Sequence, residues 1–73
     1  QRNFKGELLE LTQSRGEGMP RYDVVSEHGP DHEKEFSIVV FISNQKVGAG
    51  RGSSKKEAEQ EAASRALERM KEH

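Results

Sequence analysis

Phe36-Ser37-Ile38-Val39-Val40-Phe41-Ile42 is the stretch that decides the architecture. Successive side chains of an extended chain point to opposite faces, so Phe36, Ile38, Val40 and Ile42 share one face while Ser37, Val39 and Phe41 share the other. The first face is wholly apolar. The stretch is also rich in the β-branched and aromatic residues that suit a pleated surface, and it reads as the central strand of a sheet.

On its C-terminal side, Ser43-Asn44-Gln45 is a hairpin-length connection to a third strand, Lys46-Val47-Gly48-Ala49-Gly50, with Val47 and Ala49 pointing to one side. Arg51 and Gly52 lead out. Ser53 or Ser54 then offers an N-cap oxygen, and Glu57, three residues past Ser54, completes a capping box. From Ser54 onward Ala58, Ala62, Ala63, Ala66, Leu67 and Met70 hold a helical stripe. About 19 residues at roughly 1.5 Å each make a helix of roughly 28 Å. The alanines in its stripe let the helix backbone come close to the sheet.

On the N-terminal side, the stretch from His28 to Lys34 has no periodic apolar residue, and Gly29-Pro30 marks a turn, so it reads as a surface loop. Residues 21 to 27, with Tyr22, Val24 and Val25, form a first strand after Pro20. Residues 4 to 13 form a first helix, because Phe4, Leu8 and Leu11 recur at helical spacing. The expected fold is α+β: an α-β-β-β-α two-layer sandwich, with a three-stranded antiparallel sheet and both helices on the Phe36/Ile38/Val40/Ile42 face.

The 73 residues, none of them cysteine, leave room for a single domain over 1–73 with a core of about 4–70 that folds without disulfide or cysteine-metal staples. Only 30% are hydrophobic, and no apolar run approaches the roughly 18 residues of a membrane span. A soluble, cytoplasmic protein is expected. Twelve basic residues against thirteen acidic ones give a formal charge of -1, so any polyanion site must be a local patch. The chain is too short for a cofactor domain plus a substrate domain, and reads as a binding module or a piece of something larger.

Five pieces then stand in order: Leu8-x-Glu10-Leu11, Pro20-x-Tyr22, Glu27-x-Gly29-Pro30-x-His32, the Phe36 to Ile42 strand, and Gly48-x-Gly50-x-Gly52-x-Ser54-Lys55-Lys56-x-Ala58-Glu59. Together they resemble the double-stranded-RNA-binding domain over nearly the whole chain. The stretch Ser54 to Gln60 is most similar to the C-terminal domain of bacterial ribonuclease III. The resemblance implies a non-catalytic module that binds double-stranded RNA by its A-form shape over about 16 base pairs, with little sequence preference. It implies that Lys55 and Lys56 grip phosphates across the major groove, that Gly29, Pro30 and His32 probe a minor groove, and that Glu10 and Gln13 contact a second one. It also implies a parent enzyme that cuts duplex RNA with magnesium ions held in an N-terminal catalytic domain outside this chain, a homodimer through that domain, and no cofactor in this fragment. Two departures stand out. Glu59 occupies a position where many members carry a third lysine, which implies lower affinity, and Leu9 stands where relatives commonly have a polar residue.

The chemistry of the residues can be argued beside the resemblance. Lys55 and Lys56 fall in the first turn of a helix, where unpaired N–H groups and the macrodipole already favour an anion. Gly48, Gly50 and Gly52 leave that approach unshielded, and Arg51 adds a third positive charge. Gly29-Pro30 makes a tight turn with exposed carbonyls that suit hydroxyl donors. Glu10, a carboxylate, is no phosphate ligand and makes sense only as an acceptor for 2′-hydroxyls or base donors, with Gln13 beside it. Viewed alone, a lysine pair is also what any solvated helix start carries, the loop is what any strand connector carries, and the helix-one face is what water accepts.

Other readings fit less well. The glycine run lacks the two-residue gap and the βαβ unit of a dinucleotide fingerprint. His28 and His32 lie in a loop, where a spacing of four does not align imidazoles for a metal. Asp31, Glu33 and Glu35 have no apolar surroundings to raise a pKa or hold an ion. The rival from another class is a protein-interaction domain of the same fold, docking through Val39 and Phe41 on the sheet face away from the helices.

Overall fold

Burying one face of the central strand requires a neighbour on each edge and a layer above it. The computed structural model, which describes residues 2–71, supplies both. The element order is α1 (Phe4–Ser14), β1 (Arg21–His28), β2 (Glu35–Ile42), β3 (Gln45–Gly52) and α2 (Lys55–Lys71). The strands form one antiparallel sheet in the order β1-β2-β3. Ile38, Val40 and Ile42 pack with Leu8 of α1 and with Ala58, Ala62, Ala63, Ala66, Leu67 and Met70 of α2, while Phe4, Leu11, Tyr22, Phe36 and Val47 form the rim of this core. α1 packs chiefly against α2, and α2 lies along β3 and β2. The α+β two-layer sandwich expected from the pattern is therefore the fold.

Several details differ from the expectation. His28 lies in β1, paired with Glu35, and not in the loop. The hairpin after β2 has only two residues in its turn, Ser43 and Asn44, both at positive φ (51° and 65°), because Ile42 already pairs with Gln45. Positive φ at both central positions matches the right-handed twist of the flanking strands.

A β-bulge changes the phase of β3. The register shifts between Val40 and Phe41, whose partners are Gly48 and Lys46, so Val47 is the extra residue. Val47 joins the rim of the core and Ala49 is exposed, so the two do not share a face as simple alternation had them. Gly48, Gly50 and Gly52 face α2 instead. A Cβ on Gly50 would lie 2.4 Å from the Ala62 nitrogen and 2.5 Å from the Ala58 carbonyl oxygen. The glycines thus serve contact between strand and helix backbones, and the alanine stripe of α2 is its counterpart.

The outer face of the sheet holds a second correction. Val39, expected to be available for docking, is buried at 8% exposure, with Asp23 and Ala49 as its register partners. The Phe41 ring is covered by the Arg21 guanidinium, 4.4 Å from its centroid. Val39 and Phe41 therefore do not form the open pair that the protein-interaction rival required, although Val25 is exposed beside Val39. On α1, Thr12 is fully buried, which the apolar stripe did not foretell, and its hydroxyl donates to the Leu9 carbonyl at 3.0 Å.

Candidate nucleic-acid interface

The start of α2 is built by Ser54. Its hydroxyl accepts from the Glu57 N–H at 3.1 Å and its carbonyl from the Ala58 N–H at 3.0 Å. The Glu57 carboxylate reaches back to the Ser53 N–H (3.2 Å) and hydroxyl (2.8 Å), a capping box displaced by one residue. The N–H groups of Lys55 and Lys56 have no intrahelical acceptor and no hydrogen-bond partner among the described residues. Both side chains are exposed, and among the described residues neither ammonium forms an ion pair. Lys55 Nζ lies 6.0 Å from the Phe36 ring centroid. Two cations and two free amides therefore stand together at the positive end of a helix, a local patch in a chain of net charge -1.

Neighbours assigned to this patch from sequence lie elsewhere. Gly48, Gly50 and Gly52 sit beneath α2 and open no approach to it. Arg51 alternates with Gly50 and Gly52, so its side chain belongs to the sheet face away from α2. Glu59 is not in the patch as a misplaced repulsive charge: it is ion-paired with Lys5 of α1. Leu9 is half-buried, lining a groove with Met19, Pro20, Tyr22 and Lys56.

The Lys5–Glu59 pair belongs to a joint between the helices that the sequence did not reveal. The Gln60 side-chain oxygen accepts from the Phe4 N–H at 2.8 Å and the Lys5 N–H at 3.3 Å, and its amide donates to Asn3 Oδ1 at 3.2 Å. Asn3 Oδ1 in turn accepts from the Gly6 N–H at 3.0 Å, and the Asn3 carbonyl from the Glu7 N–H at 3.0 Å. The otherwise orphaned N–H groups of Phe4, Lys5 and Gly6 are thus all satisfied, two of them by α2. Tyr22 sits below the joint, with Lys5 Nζ 5.0 Å from its ring centroid. Burial and the nearby Glu59 carboxylate push its phenol up to about 12, and its buried hydroxyl has no hydrogen-bond partner among the described residues.

Through this joint α2 sets the position of α1 and of its exposed residues Glu10 and Gln13. We predict that Gln60→Ala leaves part-buried amides of α1 unpaired, costing about 1–3 kcal/mol and lowering Tm in a thermal melt followed by circular dichroism. Gln60→Glu, which keeps the acceptor, lowers it less.

The loop between β1 and β2 is held by backbone. Gly29 has φ +95°, and a Cβ there would meet the Glu33 carbonyl oxygen at 2.4 Å. The Pro30 carbonyl accepts from the Glu33 N–H at 2.9 Å, closing a turn. Lys34 Nζ is shared between Glu27 (3.5 Å) and Asp31 (3.7 Å). Gly29, Pro30 and His32 are all exposed on this turn. The candidate residues thus form three exposed groups on three elements. Among the described residues no group of three His, Cys, Asp or Glu side chains converges to hold a metal, and no helix is long and apolar enough to cross a membrane.

An α-β-β-β-α sandwich with a cationic helix start defines the class of small α+β module to which the comparisons then assign the chain. The family model for the double-stranded RNA binding motif matches residues 4–70, and the chain belongs to that family. It is 55% identical over 64 residues to Ribonuclease 3 of Mycobacterium leprae, an alignment covering 88% of this chain and 26% of that protein. With Ribonuclease 3 of Bacillus velezensis it shares 44% identity over 71 residues, 97% of this chain and 28% of the relative. The chain thus spans little more than a quarter of the length of these curated relatives. Among solved structures, Arabidopsis HYL1 superposes with a TM-score of 0.84 at 30% identity, covering 96% of this chain and 99% of that one. Dicer from Pichia stipitis gives 0.72 at 31% identity, covering 89% of this chain and 31% of its own.

Proposed function

We propose that the chain binds double-stranded RNA by shape, as the substrate-binding module of a ribonuclease III that processes duplex RNA. The observation that carries this is the pairing of free ammoniums and free amides at Lys55 and Lys56 in a chain with no overall positive charge. Phosphates are the ligand such a site suits, from the side chains by charge and from the backbone by direction. The deep major groove of an A-form duplex hides its base edges and leaves phosphates as its accessible feature. Gly29, Pro30 and His32 on the loop then face one minor groove, where exposed carbonyls accept from 2′-hydroxyls. Glu10 and Gln13 on α1 face a second, Glu10 as an acceptor only.

Cleavage belongs outside this chain. The parent would bring magnesium and its carboxylate ligands in a separate catalytic domain, dimeric through that domain and working in the cytoplasm. Tethering to it raises the effective concentration of the module and offsets modest single-site affinity.

Binding to duplex RNAs of increasing length tests the shape-reading geometry. Affinity is expected to climb steeply until the duplex reaches about 16 base pairs and then to level off, because only then are both minor grooves and the intervening phosphates available together. Affinity independent of length from the shortest stable duplexes upward would overturn the three-group reading.

A further inference from the structure

α2 has two flanks with different neighbours. Glu59 and Gln60 face α1, whereas Glu61 and Arg69 face β3: the Arg51 N–H donates to Glu61 Oε1 at 2.7 Å and Arg69 to the Lys46 carbonyl at 3.4 Å. Lys56 and Arg65, nine residues or two and a half turns apart, lie on opposite flanks. A duplex seated on α1 and the first turn of α2 leaves the β3 flank open.

That flank carries two adjoining grooves that share Lys46. One is lined by Arg15, Lys46 and Arg69 with Glu17, the other by Lys46, Arg51 and Arg65 with Glu61. Five cations stand against two carboxylates, a surplus of three in a chain whose formal net charge is -1. Among the described residues none of the five is ion-paired, although Arg2, Lys5, Arg21 and Lys34 all are. An edge strand ordinarily invites another strand, but here Glu61 and Arg69 occupy backbone groups of β3, which disfavours addition of a peptide. What the grooves offer is unpaired positive charge, mostly arginine, whose planar fork suits phosphate oxygens.

We propose that the β3 flank is a second phosphodiester-binding surface, through which one chain holds a second RNA segment beside the duplex bound at Lys55 and Lys56. The proposal rests on the duplex-binding reading above. Lys56 lies on the flank of α2 opposite Arg65, so the second segment is a neighbouring helix or a distant arm of a folded RNA.

The test uses an immobilised RNA duplex and a second, fluorescent duplex in solution at low salt. Wild-type chain is expected to bind the first and to capture the second. The variant Lys46→Ala/Arg65→Ala/Arg69→Ala should bind the immobilised duplex within about twofold of wild type and capture the second at least about tenfold less well. Should Arg69 prove needed for folding, Lys46→Ala/Arg65→Ala serves in its place. Equal capture by the variant overturns the proposal, since bridging would then come from another surface or from self-association. Wild type that binds the first duplex and captures no second overturns it alone, whereas no binding to either duplex overturns the underlying reading as well. Displacement of the second duplex by polyglutamate at much lower concentrations than by unlabelled RNA would reassign the surface to an acidic protein.

Discussion

Gly50→Ala unfolds the domain. The added methyl would lie 2.4 Å from the Ala62 nitrogen, 2.5 Å from the Ala58 oxygen and 2.8 Å from the Glu61 Cβ, closer than van der Waals contact allows. Two of these atoms belong to helix backbone, which moves only if α2 as a whole moves off the sheet. Gly48 and Gly52 meet the same helix at 2.5 and 2.7 Å, so sliding α2 along β3 relieves none of the strain. Lifting it would open the layer that Ala58, Ala62 and Ala66 seal, all fully buried. Overpacking usually costs about 1–3 kcal/mol, and more where the obstacle is backbone. A domain of this size rarely has more than about 3–5 kcal/mol in hand. Loss of the cooperative thermal transition is expected. A Gly50→Ala chain that melts within a few degrees of wild type would show that the approach of α2 to β3 is looser than described. Gly16, at φ +68° with open space around its Cα, is the contrasting position, where alanine costs only the local conformation and folding survives.

Lys55→Ala/Lys56→Ala removes most of the affinity for duplex RNA without loss of fold. Both side chains are exposed and unpaired among the described residues, and the cap at Ser54 and Glu57 does not involve them. Each charge-assisted contact to a phosphate contributes about 1.5–3 kcal/mol, which is about tenfold or more in affinity per lysine. The salt dependence separates this site from the others. Every phosphate neutralised releases counterions, so the double variant should lower the magnitude of the log–log salt slope by about 1 to 2 and weaken all duplexes alike. Glu10→Ala/Gln13→Ala should lower affinity with the slope nearly unchanged, since a hydroxyl contact releases none. A folded lysine variant with wild-type slope and affinity would remove Lys55 and Lys56 from the interface.

Which features were legible in the sequence follows from the range of the interactions involved. The central strand was plain because period-two alternation is local, and the helix start was plain because Ser54 and Glu57 are three residues apart. The bulge at Val47 was not, since it depends on the partner strand, and it separated Val47 from Ala49 and turned the glycine run toward α2. Those glycines had looked like an opening for a ligand because spacing along a chain does not say what lies above it. Gln60 had no visible role because its partners at Asn3, Phe4 and Lys5 are more than fifty residues away. Thr12 and Val39 are buried by what packs over them and not by their own hydropathy pattern. The candidate residues Glu10, Gln13, Gly29, Pro30, His32, Lys55 and Lys56 were found through motif resemblance, and all seven are exposed.

Titration with an RNA duplex and a DNA duplex of the same sequence, both longer than about 16 base pairs and in the same salt, tests the central claim most directly. Groove widths set by A-form geometry and contacts to 2′-hydroxyls are available only on the first. The account predicts binding to the RNA duplex at least about tenfold tighter than to the DNA duplex, a gap that Glu10→Ala/Gln13→Ala narrows. Equal affinity for the two duplexes would reduce the interface to a phosphate patch and contradict recognition of RNA by shape.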